Sequence, residues 1–304
     1  MIVLTVGKTY VDIDGYASAI AYRELLKLKK VDACFVINAS FNYSITNSLL
    51  NLSLGADKYT VKTEDKFIIL DLSNKSYFPD FVEEDNIIEI IDHHPGFEDY
   101  WKDKLQDKST IIPIGSVATI IAKKYEEDDL LKDINKDVAR LLMAAILDNT
   151  LNFTADITTD EDIRIYKELD KIVSDLDFKE NYFSECQNYI VNNLTESITK
   201  DIKMQNHINI LPKVFAQLTI WNVNGLMNKK KLINEIMNSY NSSWMINIIS
   251  LEENKSYILF SDNEIKNKIS YLFNIIEDED CMIVTPAILR KEIMNISLNN
   301  NASK

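Results

Sequence analysis

The sequence predicts an α/β fold: an N-terminal, largely parallel sheet flanked by helices, followed by a smaller C-terminal α+β domain. Three observations carry this expectation. Short apolar runs at residues 1–6, Ala33–Ile37, Phe67–Leu70 and Ile87–Ile91 alternate with helical patterns, as buried parallel strands do. In the second half, Ile208–Ile210, Val214–Ile220, Trp244–Leu251 and Tyr257–Phe260 read as strands, with helical patterns at Lys229–Met237 and Glu264–Phe273. The chain has 304 residues, more than one hydrophobic core usually serves, so two domains are expected, 1–185 and 195–304.

Each element has its own warrant. Met1–Val6 carries neither a basic leader nor a small-residue cleavage pattern, so it reads as a buried first strand and not a signal peptide. The polar stretch Lys8–Asp14 follows, and Ala17–Leu28 then places small and apolar residues at helical spacing before a basic turn. Phe67–Leu70 and Ile87–Ile91 each run into an aspartate. Ser116–Tyr125 and Val138–Leu147 read as helices, and Thr158-Thr159-Asp160-Glu161-Asp162 is the capped, acidic opening of another that continues through Ile172. The mostly polar stretch 185–200, partly helical in character, is the expected connection between the domains.

The bulk composition excludes several classes of function. A formal net charge of -14 repels nucleic-acid backbones and anionic lipid, so no long nucleic acid is expected as a partner. A small phosphate-bearing substrate stays compatible, because metal ions and a few basic residues can reverse the potential inside one cleft. Cys34, Cys186 and Cys281 are far apart and form no paired-cysteine motif, which argues against a disulfide scaffold or a thiolate zinc site. No apolar stretch reaches the length of a membrane span, so a cytoplasmic protein without a membrane partner is expected.

The candidate chemistry lies where apolar runs end. Asp12 and Asp14 follow the first strand and precede a helix; Asp71 terminates Phe67–Leu70; Asp92-His93-His94 terminates Ile87–Ile91; Asp148 follows Leu141–Leu147. In open α/β sheets ligands collect at the carboxyl ends of strands. Carboxylates with imidazoles suit hard or borderline divalent ions, and two ions about 3.5–4 Å apart could share Asp71 in a two-metal arrangement for attack on phosphorus. Helix caps and turn aspartates would explain each acid singly, but not an Asp-His-His run against a core strand. Lys203, and Arg290-Lys291 after the last expected strand Cys281–Val284, carry little signal by themselves.

Val11-Asp12-Ile13-Asp14-Gly15-Tyr16-Ala17-Ser18-Ala19-Ile20 and Ile91-Asp92-His93-His94-Pro95-Gly96 resemble the DHH phosphoesterase superfamily, and more closely the manganese-dependent family II inorganic pyrophosphatases. Gly115-Ser116-Val117-Ala118-Thr119, Leu142–Asp162, Asp201-Ile202-Lys203 and Leu289-Arg290-Lys291-Glu292 are similar to further motifs of that family. The resemblance implies a metal-dependent hydrolase of phosphoanhydride or phosphoester bonds, using Mn²⁺, with Mg²⁺ or Co²⁺ as alternatives. It implies Asp12 on a first metal, Asp14 on a second, Asp71 bridging them, and His93 and Asp148 on the second. It places His94 near the substrate phosphate, and Lys203, Arg290 and Lys291 of a DHHA2-like second domain on the phosphate itself, with the substrate between the domains. It also makes a homodimer plausible.

Three departures qualify pyrophosphate as the substrate. Lys8 stands where the pyrophosphatases have a metal-binding histidine, and a protonated lysine has no lone pair for a cation. Either the first metal lacks a ligand, or the ammonium replaces part of its charge, or Lys8 turns toward substrate. Glu292 replaces a lysine of the last basic motif, and Gly15 replaces the usual serine as in the broader superfamily. Three functions follow in order: hydrolysis of inorganic pyrophosphate, cleavage of short polyphosphates or small nucleotides, and phosphate-ligand binding with weakened catalysis.

Overall fold

Four apolar runs of the first half line up in a five-stranded parallel sheet. The computed structural model describes residues 1–206, 208–273, 275–277 and 281–301, and the chain divides into two units, Met1–Lys179 and Glu180–Lys304. The first unit runs β1 (Ile2–Thr5), α1 (Ile13–Leu28), β2 (Ala33–Phe35), α2 (Asn47–Leu50), β3 (Lys66–Leu70), β4 (Ile87–Asp92), α3 (Glu98–Leu105), β5 (Ser109–Ile111), α4 (Val117–Glu127), α5 (Lys136–Asn149) and α6 (Asp160–Val173). Its strands lie in the order β2-β1-β3-β4-β5, every pairing parallel.

The continuous burial of Val3–Thr5, Phe67–Leu70 and Ile90–Asp92 fits strands covered on both faces. On one face Val3, Phe67, Ile69, Ile90 and Trp101 share a core cluster. Trp101 anchors it by donating its indole N–H to the Ser73 carbonyl at 2.7 Å. On the other face α1 packs against α4 and α5. The strand order steps outward in opposite directions from β1, so the connections after β1 and β3 diverge. That switch point opens a crevice above the carboxyl ends of these strands.

Helix α1 starts at Ile13, earlier than the expected Ala17, because Asp12 caps it. The Asp12 carboxylate accepts the Gly15 N–H at 3.1 Å and satisfies a donor that the helix cannot. Strand β5 and helix α3 were not predicted.

The second unit contains α7 (Phe178–Asn192), α8 (Leu194–Asp201), β6 (Lys203–Met204), β7 (Val214–Ile220), α9 (Asn224–Met227), α10 (Lys230–Asn238), β8 (Trp244–Ser250), β9 (Lys255–Phe260), α11 (Asn263–Ser270), β10 (Ile275–Glu277), β11 (Met282–Val284) and α12 (Arg290–Asn301). Its strands follow the order β10-β11-β9-β8-β7-β6, parallel between β7 and β8 and antiparallel elsewhere. The core collects Phe215, Met245, Ile258, Ile269, Met282 and Ile293.

The helical character of 185–200 is carried by α7 and α8, where Tyr182, Cys186, Ile190, Leu194 and Ile198 recur every fourth residue as a buried stripe. One expectation changes here. Ile208–Ile210 is a turn and not a strand. The Gln205 side chain takes over the hydrogen bonding there, accepting from Ile208 N and donating to the carbonyls of Ile208, Leu211 and Pro212.

Candidate metal centre

Asp71 is the residue around which the first unit's polar groups gather. It leaves β3 with φ +58°, a left-handed conformation that costs a residue bearing a Cβ on the order of 1 kcal/mol. Its N–H is tied to the Ile91 carbonyl at 2.8 Å, which fixes the turn. The side chain is 10% exposed, and Oδ1 is buried without a hydrogen-bond partner. Burial, together with the nearby Asp12, Asp14 and Asp92 carboxylates, pushes the Asp71 carboxyl well above its ordinary range. Gly15 permits this crowding: a Cβ there would meet Val6 Cγ1 at 3.2 Å and Asp71 Oδ2 at 3.5 Å.

The two histidines after β4 are set in different ways. His93 is buried, and its Nδ1 lies 2.9 Å from the Ile114 carbonyl. A carbonyl only accepts, so the proton sits on Nδ1 and the lone pair on Nε2. That Nε2 is 3.5 Å from Asp71 Oδ1 and 3.9 Å from Asp14 Oδ2. His94 has 61% of its side chain exposed and places Nδ1 2.8 Å from Asp92 Oδ1. The hydrogen bond to Asp92 raises the His94 pKa against the opposing effect of burial. The same Asp92 oxygen accepts the His93 and His94 backbone N–H groups, locking the Asp-His-His turn.

Asp14 is held by donors from its own helix and from two other segments, the start of α4 and the end of α5. Fully buried, it accepts at Oδ1 from Ser116 Oγ (2.8 Å), Ala118 N (2.9 Å) and Ser18 Oγ (3.3 Å). At Oδ2 it accepts from Val117 N (2.9 Å) and from the Asn149 side-chain amide. The carboxylate thus sits on the N-terminus of α4, where the free N–H groups and the helix dipole favour an anion. Burial nevertheless raises its pKa, with His93 pulling the other way.

Among the described residues, Asp71, His93 and His94 form a group whose ligand-type atoms all lie within 4.8 Å of one another. The donor set fits a divalent cation: an orphaned buried carboxylate oxygen, an imidazole lone pair aimed at it, and neighbouring acids that help burial to raise the Asp71 pKa. Beside it lies a cavity of about 460 Å³ whose lining includes Asp12, Asp71, Asp92 and His94 together with Tyr10, Leu72, Tyr77 and Phe97.

Two further predicted site residues lie outside that group. Lys8 Nζ pairs with the exposed Asp80 at 2.8 Å, and Lys8 is not part of the cavity lining. This is a surface ion pair, so Lys8→Ala is expected to change stability by less than about 1 kcal/mol and to leave Mn²⁺ affinity unaltered in a calorimetric titration. A clear loss of Mn²⁺ affinity would place Lys8 back at the site. Asp148 lies outside the Asp71–His93–His94 group, and its neighbour Asn149 is the side chain that reaches Asp14.

In the second unit the Arg290 guanidinium is clamped by both Asp201 carboxylate oxygens, at 2.5 and 3.2 Å, and by the Asp201 carbonyl at 2.8 Å. Lys203 is exposed on β6. The side chain of Lys291 lies outside the described residues. Sequence reasoning missed Ser116 and Asn149 as partners of Asp14, although Ser116 belongs to a segment already matched to the family pattern.

Residues 2–146 match the family model described as "DHH family, N-terminal domain". Residues 2–146 are thus similar to the N-terminal domain of the DHH family. A protein of Bacillus licheniformis named "Probable manganese-dependent inorganic pyrophosphatase" is 33% identical over 172 residues, 55% of this chain and 54% of that protein. An Exiguobacterium protein of the same name is 34% identical over 173 residues, 56% and 55% of the two chains. The chain thus matches about half the length of these curated relatives. The crystal structure of a "putative family II inorganic pyrophosphatase" from Methanococcus jannaschii shares the fold, with TM-score 0.61 and 22% identity over 99% of this chain and 100% of that one. No helix among the described residues is long and apolar enough to cross a membrane.

Proposed function

We propose that this protein is a metal-dependent phosphohydrolase whose DHH domain holds a divalent cation, Mn²⁺ first, and that inorganic pyrophosphate is its substrate. The observation that carries the reading is the orphaned Asp71 Oδ1 facing the His93 Nε2 lone pair beside a cavity. Asp71 and His93 would hold the cation, with Asp12 on the cavity wall next to them. When bound, a divalent cation polarises a phosphoryl oxygen and makes a neighbouring water more acidic.

The protein groups do the rest. Asp92 orients His94 through Nδ1 and leaves Nε2 to meet the substrate. The raised pKa favours the imidazolium, which can donate a hydrogen bond as charge develops on a phosphate oxygen. Lys203, Arg290 and Lys291 are proposed as the phosphate-gripping set. Arg290 would exchange Asp201 oxygens for phosphate oxygens, a fork geometry that matches either anion.

A second reading is favoured by the cavity wall. Tyr10, Leu72, Tyr77 and Phe97 offer apolar and aromatic surface, no lysine or arginine among the described residues lines the cavity, and its volume suits an organic ligand. A phosphoester with an organic group, such as a small nucleotide, would use that wall where pyrophosphate would not.

The test is hydrolysis of pyrophosphate, tripolyphosphate, dinucleotides and cyclic nucleotides with Mn²⁺, Mg²⁺ or Co²⁺. Pyrophosphate cleavage that vanishes in Asp71→Ala is the expected result. Preference for a nucleotide moves the conclusion to the second reading, and inertness toward the whole panel overturns both.

A further inference from the structure

We propose that the DHH site of this chain takes one divalent cation, at Asp71 and His93, and that Asn149 keeps a second from binding at Asp14. The inference rests on the reading of this site as a cation site and concerns how many ions it accepts.

A carboxylate offers about four lone-pair positions. Asp14 already receives five donors: the hydroxyls of Ser18 and Ser116, the N–H groups of Val117 and Ala118, and the Asn149 amide. It is fully buried, so no water competes for these bonds. A cation at Asp14 would have to displace donors from a preformed helix terminus, and each displaced buried donor costs about 1–3 kcal/mol. Asp71 is the opposite case, with a buried oxygen that no donor satisfies.

Asn149 decides the difference. Next to Asp14 Oδ2 its side chain must present NH₂, because two acceptor oxygens repel; it therefore supplies positive partial charge where a second ion would stand. Aspartate at 149 would place a carboxylate against Asp14, a contact that needs a proton or a cation between them. One amide thus substitutes for an ion. The loop before α1 supplies no replacement ligand from Lys8, whose ammonium is engaged with Asp80.

The experiment measures Mn²⁺ bound to the metal-stripped full-length chain by equilibrium dialysis and records its electron paramagnetic resonance spectrum. The expected result is one ion per chain with the spectrum of an isolated Mn²⁺, rising to two ions with a spin-coupled spectrum in Asn149→Asp. Asp71→Ala should bind none. Two coupled ions in the natural protein would overturn the inference and leave the proposed hydrolase standing. Failure of folded Asn149→Asp to gain an ion would also overturn it. No binding by the natural protein, or undiminished binding by Asp71→Ala, would sink the cation-site reading itself and the inference with it. Where circular dichroism shows that Asn149→Asp does not fold, the natural protein's spectrum decides alone.

Discussion

Asp71→Asn is expected to make the metal-free protein more stable while abolishing its response to divalent cations. In the native chain this side chain brings a carboxylate into contact range of Asp12, Asp14 and Asp92, buried and with one oxygen unpartnered. Asparagine removes the charge, keeps the shape and adopts φ near +58° more readily than most residues. The gain in the metal-free state should be about 1 kcal/mol. The loss falls on function: without the anionic ligand, Mn²⁺ at concentrations that raise the native melting temperature should leave the variant unshifted, where binding at a hundred times Kd would give about 2.7 kcal/mol. Removing several kcal/mol of transition-state stabilisation corresponds to a rate loss of roughly 10³.

The pH dependence has a definite sign. Asp71 titrates above its ordinary value of 3.8 in the folded chain, so its contribution is fully present below that value and is lost as pH rises through the raised one. In chelator, the native protein should lose stability relative to Asp71→Asn as pH rises from about 4 toward neutrality. Melting curves with and without chelator, across pH, check this. A variant less stable than the native chain in chelator at neutral pH would show that Asp71 is a structural acid.

The elements that carry this chemistry were legible because a buried strand ending at an acid is a conspicuous pattern: Phe67–Leu70 before Asp71, and Ile87–Ile91 before Asp92-His93-His94. Covered parallel strands cannot alternate, so their ends stand out. The reach of Asn149 to Asp14 was not legible. Helix α5 is buried all round from Leu141 to Leu147, and periodicity selects a face only where a helix has an exposed one. Lys8 was open for a related reason, since the direction of a long side chain depends on which acid stands nearby. Asp80 lies 72 residues away in sequence. The turn at Ile208–Ile210 was misread because a Gln205 side chain, and no strand partner, satisfies the backbone around it. Local apolar content could not distinguish the two.

Asp162→Ala is expected to be the most destabilising single change in the first unit while leaving the chemistry of Asp71 in place. Asp162 is fully buried, and among the described residues its carboxyl group is met by hydrogen-bond donors and by no basic side chain. It accepts from Gly115 N at 3.0 Å, Thr119 Oγ1 at 2.5 Å, Thr159 N at 2.8 Å and Thr159 Oγ1 at 2.7 Å. One side chain thus closes the capping box of α6 and clips it to the segment that leads into α4. Alanine would leave these donors facing a void. Four lost bonds do not add in full, but about 3–5 kcal/mol is the expected cost, a fall in melting temperature on the order of 10 °C for a unit this size. Gly115 shows how closely the parts fit: a Cβ there would stand 2.6 Å from Asp162 Oδ2 and 2.7 Å from Thr150 Cγ2, so Gly115→Ala should fail by collision where Asp162→Ala fails by loss. Mn²⁺ separates this scaffold effect from the site. Asp162→Ala keeps Asp71 and His93, so cation should still raise its melting temperature from the lowered base, whereas Asp71→Asn starts high and does not respond. A melting temperature for Asp162→Ala within a degree or two of the native value would mean that the α4 terminus, and Asp14 with it, is held by something other than this carboxylate.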